Sequence, residues 1–236
     1  MGATLPPLES NQLVDGLAES LGATLVESLA PATIAALLAH YDEMRRWNRR
    51  LSLVGPGTAA EVVERHYAES LAALPLVEAA GTLVDVGTGA GFPGLVLAAA
   101  RPGLDVLAIE PRQRKWAFLE SALRKMRQAV RREGGDVDSL SCRIANARVE
   151  RPLPPALQFP PSIDLVASRA LALPTEILSL FMERDPWTRF LLWLGRLDPE
   201  PPPGLVIGRR LALPGAEHRR VVELVPSAAW SRTSSN

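Results

Sequence analysis

The chain has one cysteine and two lysines in 236 residues, and no excess of charge of either sign. Each shortage closes something off. A single cysteine, Cys142, cannot form an internal disulfide, so the fold must rest on its core, as suits a reducing compartment. Cys142 itself is expected as a small buried apolar residue and not as a reactive thiol. Twenty-six basic and 26 acidic side chains cancel. Bulk charge therefore argues neither for nor against a nucleic-acid partner, because a local basic face can coexist with an acidic remainder. No apolar run approaches bilayer length, the longest lying around Leu95–Ala100. The opening residues "MGATLPPLESNQ" lack the basic and apolar regions of a signal peptide. A cytoplasmic protein with no membrane partner is expected, and no metal site.

What is present is an ordinary globular composition, 47% hydrophobic, over a length that suits one substantial core. Arginine carries nearly all the positive charge, and its forked donors suit phosphate recognition. The basic residues cluster at Arg45–Arg50, at Arg112–Lys115 and at Arg124–Arg132. Most of these are expected on solvated helix faces.

Residues 8–79 carry apolar side chains at helical spacing, so 1–80 reads as a helical region. Its third helical stretch begins at Thr58, with Glu61 three residues on, which is a capping box. From Thr82 the pattern changes. "TLVDVG", "LDVLAIE", "LSCRIAN" and "IDLVASRA" read as short apolar strands. Helices "PGLVLAAARP" and "RQRKWAFLESALRKMRQAVRRE" follow the first two, which predicts a parallel α/β sheet over 81–226. "PLPPALQFPP" is a connector, "RFLLWLGRL" a further strand, and 227–236 is expected as a disordered tail.

The stretch "LVDVGTGAGFPGLVLAAA" holds two glycine signatures at once, G-x-G-x-G and G-x-G-x-x-G. A glycine turn from strand to helix lets a ligand approach the backbone, and Glu110 ends the next strand where a carboxylate can take ribose hydroxyls. To this point NAD and S-adenosylmethionine fit equally. Three details favour S-adenosylmethionine. Asp85 before the loop would repel a pyrophosphate but can face an ammonium or sulfonium. Thr88 offers a hydroxyl near the same end. Phe92 with Pro93 fills the turn where a dinucleotide needs close approach.

"WNRRLSLV", "RHYAESL", "LVDVGTGAGFPGLVLA", "RKWAFL", "ARVE" and "ASRA", in this order, resemble the glucose-inhibited division protein B family. These are bacterial methyltransferases acting on N7 of a guanosine in 16S ribosomal RNA. The resemblance implies a class I methyltransferase fold: a Rossmann-like, mostly parallel seven-stranded sheet preceded by a helical cap. It implies cofactor contacts from Gly87, Thr88, Gly89, Gly91, Phe92, Val149, Glu150 and Arg169, with Glu110 on the ribose. Arg65 and His66 match a basic pair facing the RNA, in the small ribosomal subunit or free, and Arg114 and Lys115 lie in the nearby basic cluster. For the "ARVE" contact, Ile144–Ala145 is the alternative register. Trp47 is either core or a stacking platform. Toward the C-terminus the match departs: Leu194 stands where the family shows a lysine, and the final strand ends without a basic residue.

Guanine N7 has an in-plane lone pair and no proton, so its methylation needs no general base. No catalytic residue is expected, only orientation and electrostatics. The protein is expected as a monomer. A methyltransferase with a small-molecule or protein substrate, and a non-catalytic descendant binding cofactor or RNA, remain as alternatives.

Overall fold

The computed structural model describes residues 2–154, 157–169 and 173–228. The helical region runs as α1 (Ser10–Leu21), α2 (Ala23–Glu27) and α3 (Pro31–Leu51). Glu9 and Gln12 form a capping box on α1, and Pro31 opens α3 at a position where its missing N–H costs nothing. The expected Thr58–Glu61 box is made in both directions, the Glu61 amide donating to Thr58 Oγ1 and the Thr58 amide to Glu61 Oε2.

The third stretch is not one helix. It runs as α4 (Ala59–Val62), a π-turn (Val63–Ala68), α5 (Glu69–Leu71) and α6 (Leu74–Val77). A π-turn closes on i→i+5 and carries one extra residue, a feature that helical periodicity does not announce. Pro75 sits in the first turn of α6, where a new helix tolerates it.

The sheet is β1 (Thr82–Val86), β2 (Asp105–Ile109), β3 (Cys142–Ala145), β4 (Leu165–Arg169), β5 (Arg189–Leu194), β6 (Leu205–Ala212) and β7 (Arg220–Pro226). Helices α7 (Gly94–Ala100), α8 (Gln113–Arg132) and α9 (Thr175–Arg184) and a 3-10 turn (Val137–Ser139) lie between its strands. Strand order is β3-β2-β1-β4-β5-β7-β6. The first five strands are parallel, and β7 runs antiparallel to both β5 and β6. This is the class I, mostly parallel architecture that the sequence led one to expect. Strand β1 pairs β2 on one side and β4 on the other, so the chain reverses direction across the sheet at β1. Ligands in such sheets bind at the carboxyl ends of the strands flanking that switch.

Two apolar layers cover the sheet. One joins α1, α3, the π-turn, α7 and α8, with Leu37, Tyr67 and Phe118 fully buried. The other packs α9 onto the opposite face through Phe181 and Phe190. Helix α3 lies antiparallel on α8: Trp47 meets Phe118, and Ser121 donates to Glu43. Trp47 also donates its indole N–H to Glu43, so it belongs to this packing and is no stacking platform.

Cys142 is 3% exposed and burial pushes its thiol up to about 12. A thiol held that far above neutrality carries almost no thiolate. Iodoacetamide at pH 8 is expected to leave the folded protein unlabelled and to alkylate it fully in denaturant, as mass spectrometry would show.

Candidate functional site

Strand β1 ends in the turn Gly87–Phe92, which opens into α7. Gly87, Gly89 and Gly91 all take positive φ, a region costly for residues with a Cβ. At Gly91 a Cβ would also stand 3.1 Å from both His40 Nε2 and Leu95. The turn is tied down by the Gly87 and Thr88 amides donating to Ile109 O.

Around the turn lies a cavity of about 670 Å³, large enough for a nucleoside-sized ligand. Glu110, at the end of β2, is 4% exposed and lines it. Its two oxygens accept from the Gly89 and Arg112 amides, which aims the carboxylate without consuming all its acceptor positions. Thr88 lines the same space, and its buried hydroxyl is directed to the carboxylate of Asp85. Positive-φ glycines and an aimed carboxylate together fit an adenosine-bearing cofactor.

Asp85 is placed differently from the expectation. It is fully buried beneath the turn and does not line the cavity. Its Oδ2 accepts from the Gly94 amide at 2.8 Å, fixing the start of α7. A Cβ on Gly94 would lie 2.6 Å from that oxygen, so residue 94 must be glycine for the carboxylate to fit. Burial pushes Asp85 up to about 6, against the opposing Thr88 hydroxyl, Gly94 amide and Arg169 charge.

Phe92 lines the cavity with its ring stacked on His66, centroids 5.0 Å apart and planes 24° from parallel. The Arg169 guanidinium lies 5.8 Å from the same ring. Arg169, at the end of β4, reaches across to the π-turn, donating to the carbonyls of Arg65 and His66 and to Glu69. Glu69 is 3% exposed at its side chain and pairs through its other oxygen with Arg219 at 2.7 Å. Burial raises Glu69, and the Arg169 and Arg219 charges oppose the rise.

His66 is pushed down to about 3, first by burial and then by Arg169, Arg65, His40 and Arg219. It is therefore a neutral ring at physiological pH and brings no charge to the pair it forms with Arg65.

Other expected residues sit elsewhere. Val149 packs against the second core layer and Glu150 is exposed, so neither lines the cavity, because the chain turns outward after β3. From that segment Arg148 lines it. Lys115 lines the cavity, whereas Arg114 is exposed on α8 one position away on the helix. In "ASRA", Ala170 lies outside the described residues, as does the expected tail from residue 229.

Leu194 does line the cavity, and at the same end stands Arg219, from just before β7. Sequence reasoning missed Arg219 because it looked for a cation at the end of the last strand, not at its start. In all, six cationic side chains (Arg65, Arg112, Lys115, Arg148, Arg169, Arg219) face two carboxylates (Glu69, Glu110). A chain of zero net charge thus concentrates positive charge at one cavity, which suits an anionic partner. Among the described residues no three His, Cys, Asp or Glu side chains gather as a metal site. No described helix is long and apolar enough to cross a membrane.

The family model for GidB, rRNA small subunit methyltransferase G, matches residues 33–196. Ribosomal RNA small subunit methyltransferase G of Methylobacterium radiotolerans is 35% identical over 83% of this chain and 82% of its own length. The protein of the same name from Desulfotalea psychrophila is 42% identical over 38% of this chain, a stretch spanning 42% of that relative. Among solved structures, MtNAS in complex with MTA and tNA superposes with a TM-score of 0.51 at 14% identity, covering 92% of this chain and 75% of that one. At that identity the likeness is one of fold.

Proposed function

The chain belongs to the rRNA small subunit methyltransferase G family, and on that premise we propose that it moves a methyl group from S-adenosylmethionine to N7 of a guanosine in 16S ribosomal RNA. The observation that carries this is the strand-end cavity, where an amide-held carboxylate and an open glycine turn meet a surplus of cations.

S-adenosylmethionine supplies a methyl group made electrophilic by its sulfonium. The chain's residues supply place and field. Glu110 would hold the ribose hydroxyls, and the turn Gly87–Phe92 would lie along the remainder of the cofactor. Phe92, held between His66 and Arg169, would form a wall of the site where base and cofactor are brought together. Because N7 carries no proton, no side chain has to remove one, and orientation provides the acceleration. The cationic rim offsets the charge of the incoming phosphates.

The antiparallel register of α3 on α8 brings the C-terminal turn of α3 beside the first turn of α8. Arg49, Arg50 and Arg114 are exposed there, next to the cavity-lining Lys115. We place the RNA backbone on that rim. Replacing all three by alanine is expected to weaken RNA binding and to lower the slope of log affinity against log salt by about 2, at ~0.7 per phosphate for single strands. Cofactor affinity should stay as in the wild type. An unchanged salt slope in filter binding would place the RNA elsewhere.

The deciding experiment is transfer of labelled methyl from S-adenosylmethionine to 16S RNA, naked and in the small subunit, with mapping of the product. N7-methylguanosine at one site is the expected result. Leu194, an apolar residue on the cavity wall, is the feature that favours a changed substrate. Transfer to a small molecule or protein, with no labelled RNA, would establish that reading instead.

A further inference from the structure

Two buried polar side chains beside the cavity have no part in holding cofactor or RNA. His40, on α3, is fully buried, and so is Tyr67, in the π-turn. His40 Nδ1 lies 2.7 Å from the Tyr67 hydroxyl, and its Nε2 lies 2.8 Å from the carbonyl of Ala90, inside the glycine turn. A carbonyl can only accept, so the network assigns the proton to Nε2, leaving Nδ1 to accept from Tyr67. Burial pushes His40 down to about 4, which keeps the ring neutral and this tautomer in place.

The result is one hydrogen-bonded line from Tyr67 to His40 to Ala90. Its first member comes directly after Arg65 and His66, which line the cavity from the π-turn and would meet the RNA there. Its last lies between Gly89 and Gly91 in the cofactor turn, which has no free space beside it: a Cβ on Gly91 would meet His40 Nε2 at 3.1 Å. Phe92 fills the angle of the line, edge-on to His40 at 5.3 Å and to Tyr67 at 5.1 Å, while its face meets His66. The π-turn makes this possible. Each residue added to a helix rotates the remaining turns by about 100°, so one extra residue lets Tyr67 point to the core while Arg65 and His66 line the cavity.

We propose that His40 and Tyr67 are positioning residues that couple the RNA-facing turn to the cofactor turn, so that RNA and cofactor bind cooperatively. The coupling rests on the proposed function, with RNA at the one turn and cofactor at the other. A shift of the π-turn moves Tyr67, and Tyr67 moves the Ala90 carbonyl through a rigid ring. Coupling between two ligands is reciprocal: each tightens the other by the same factor.

The test uses S-adenosylhomocysteine, which cannot be turned over, and measures its dissociation constant with and without intact small ribosomal subunits. The wild type is expected to bind it roughly tenfold tighter when subunits are present, within the usual range of coupling. Tyr67→Phe keeps the ring against Phe92 but removes the hydroxyl. His40→Gln keeps a donor for Ala90 but offers Tyr67 no ring nitrogen. Both should bring the factor to within about twofold of unity, and both should speed amide exchange across residues 87–95 in the free protein. Melting temperature should fall by a few degrees in both variants, since each breaks a buried hydrogen bond, but simple support of the core would not remove the dependence of one ligand's affinity on the other. If either variant retains the full tenfold factor, the coupling is overturned. If the wild type binds subunits and S-adenosylhomocysteine independently, the coupling fails while the site stands. If it binds neither, the functional reading and the coupling fall together.

Discussion

Asp85→Asn is expected to melt at a higher temperature than the wild type above pH 6, and to bind its cofactor less tightly. The carboxylate is fully buried and pushed up to about 6 from 3.8. A folded value above the unfolded one means that folding takes up a proton between those two pH values. The burial penalty is therefore absent below about pH 4, grows through the interval, and is complete above pH 6. Two units correspond to about 3 kcal/mol. Asparagine keeps an acceptor for the Gly94 amide and discards the charge, but it also weakens the hydrogen bond that the Thr88 hydroxyl gives the carboxylate. The net gain should thus be smaller, about 1–2 kcal/mol, or a rise of about 2–8 °C at pH 7.5. At pH 4 the two proteins should melt together. We propose that the carboxylate is retained at that cost because its field, just under the turn, favours the positive end of the cofactor. Calorimetry should show about tenfold weaker cofactor binding, worth roughly 1.4 kcal/mol. Equal or lower stability of the variant at pH 7.5 would show that the turn already compensates the charge.

Arg169→Ala should have the largest effect on transfer. Arg169 is 14% exposed at its side chain and pairs with the nearly buried Glu69. It also spans two elements, joining the end of β4 to the carbonyls of the π-turn, and it lies over Phe92. Removing one partner of a buried pair typically costs 3–5 kcal/mol, and Arg219 still faces Glu69, so about 3 kcal/mol is expected. That is a fall of about 6–12 °C in melting temperature for a chain of this size. Because the π-turn and Phe92 lose their common anchor, kcat/KM should fall by about 100-fold or more, in the range seen when positioning is lost. Lysine should rescue little, since one ammonium cannot reach the same fork of partners. The double variant Arg169→Ala/Glu69→Gln should regain much of the stability and none of the activity. Full activity in Arg169→Ala would show that the cavity is organised from elsewhere.

The sheet, the glycine turn and the cofactor were legible from short-range signals. Gly87, Gly89 and Gly91 stand where only glycine adopts the backbone required, and Glu110 follows one strand later, at a spacing the parallel topology fixes. The strands β1, β2 and β4 are mostly apolar and almost wholly buried, as suits strands covered on both faces. Strand β6 was not legible, since its side chains are mostly exposed, it carries Arg209 and Arg210, and its register shifts between Ile207 and Arg210.

Sequence by itself determined the fold class and the chemistry of the turn, because those depend on residues close together in the chain. Tertiary structure decided what each polar side chain does. It put Asp85 under the turn instead of in the cavity, and left Val149 and Glu150 outside. It made His66 neutral by burying it among arginines, brought Arg219 to Glu69, and laid His40 against Ala90 from 50 residues away. Those outcomes depend on burial and on the charges of distant elements. Neither quantity exists until the chain has folded.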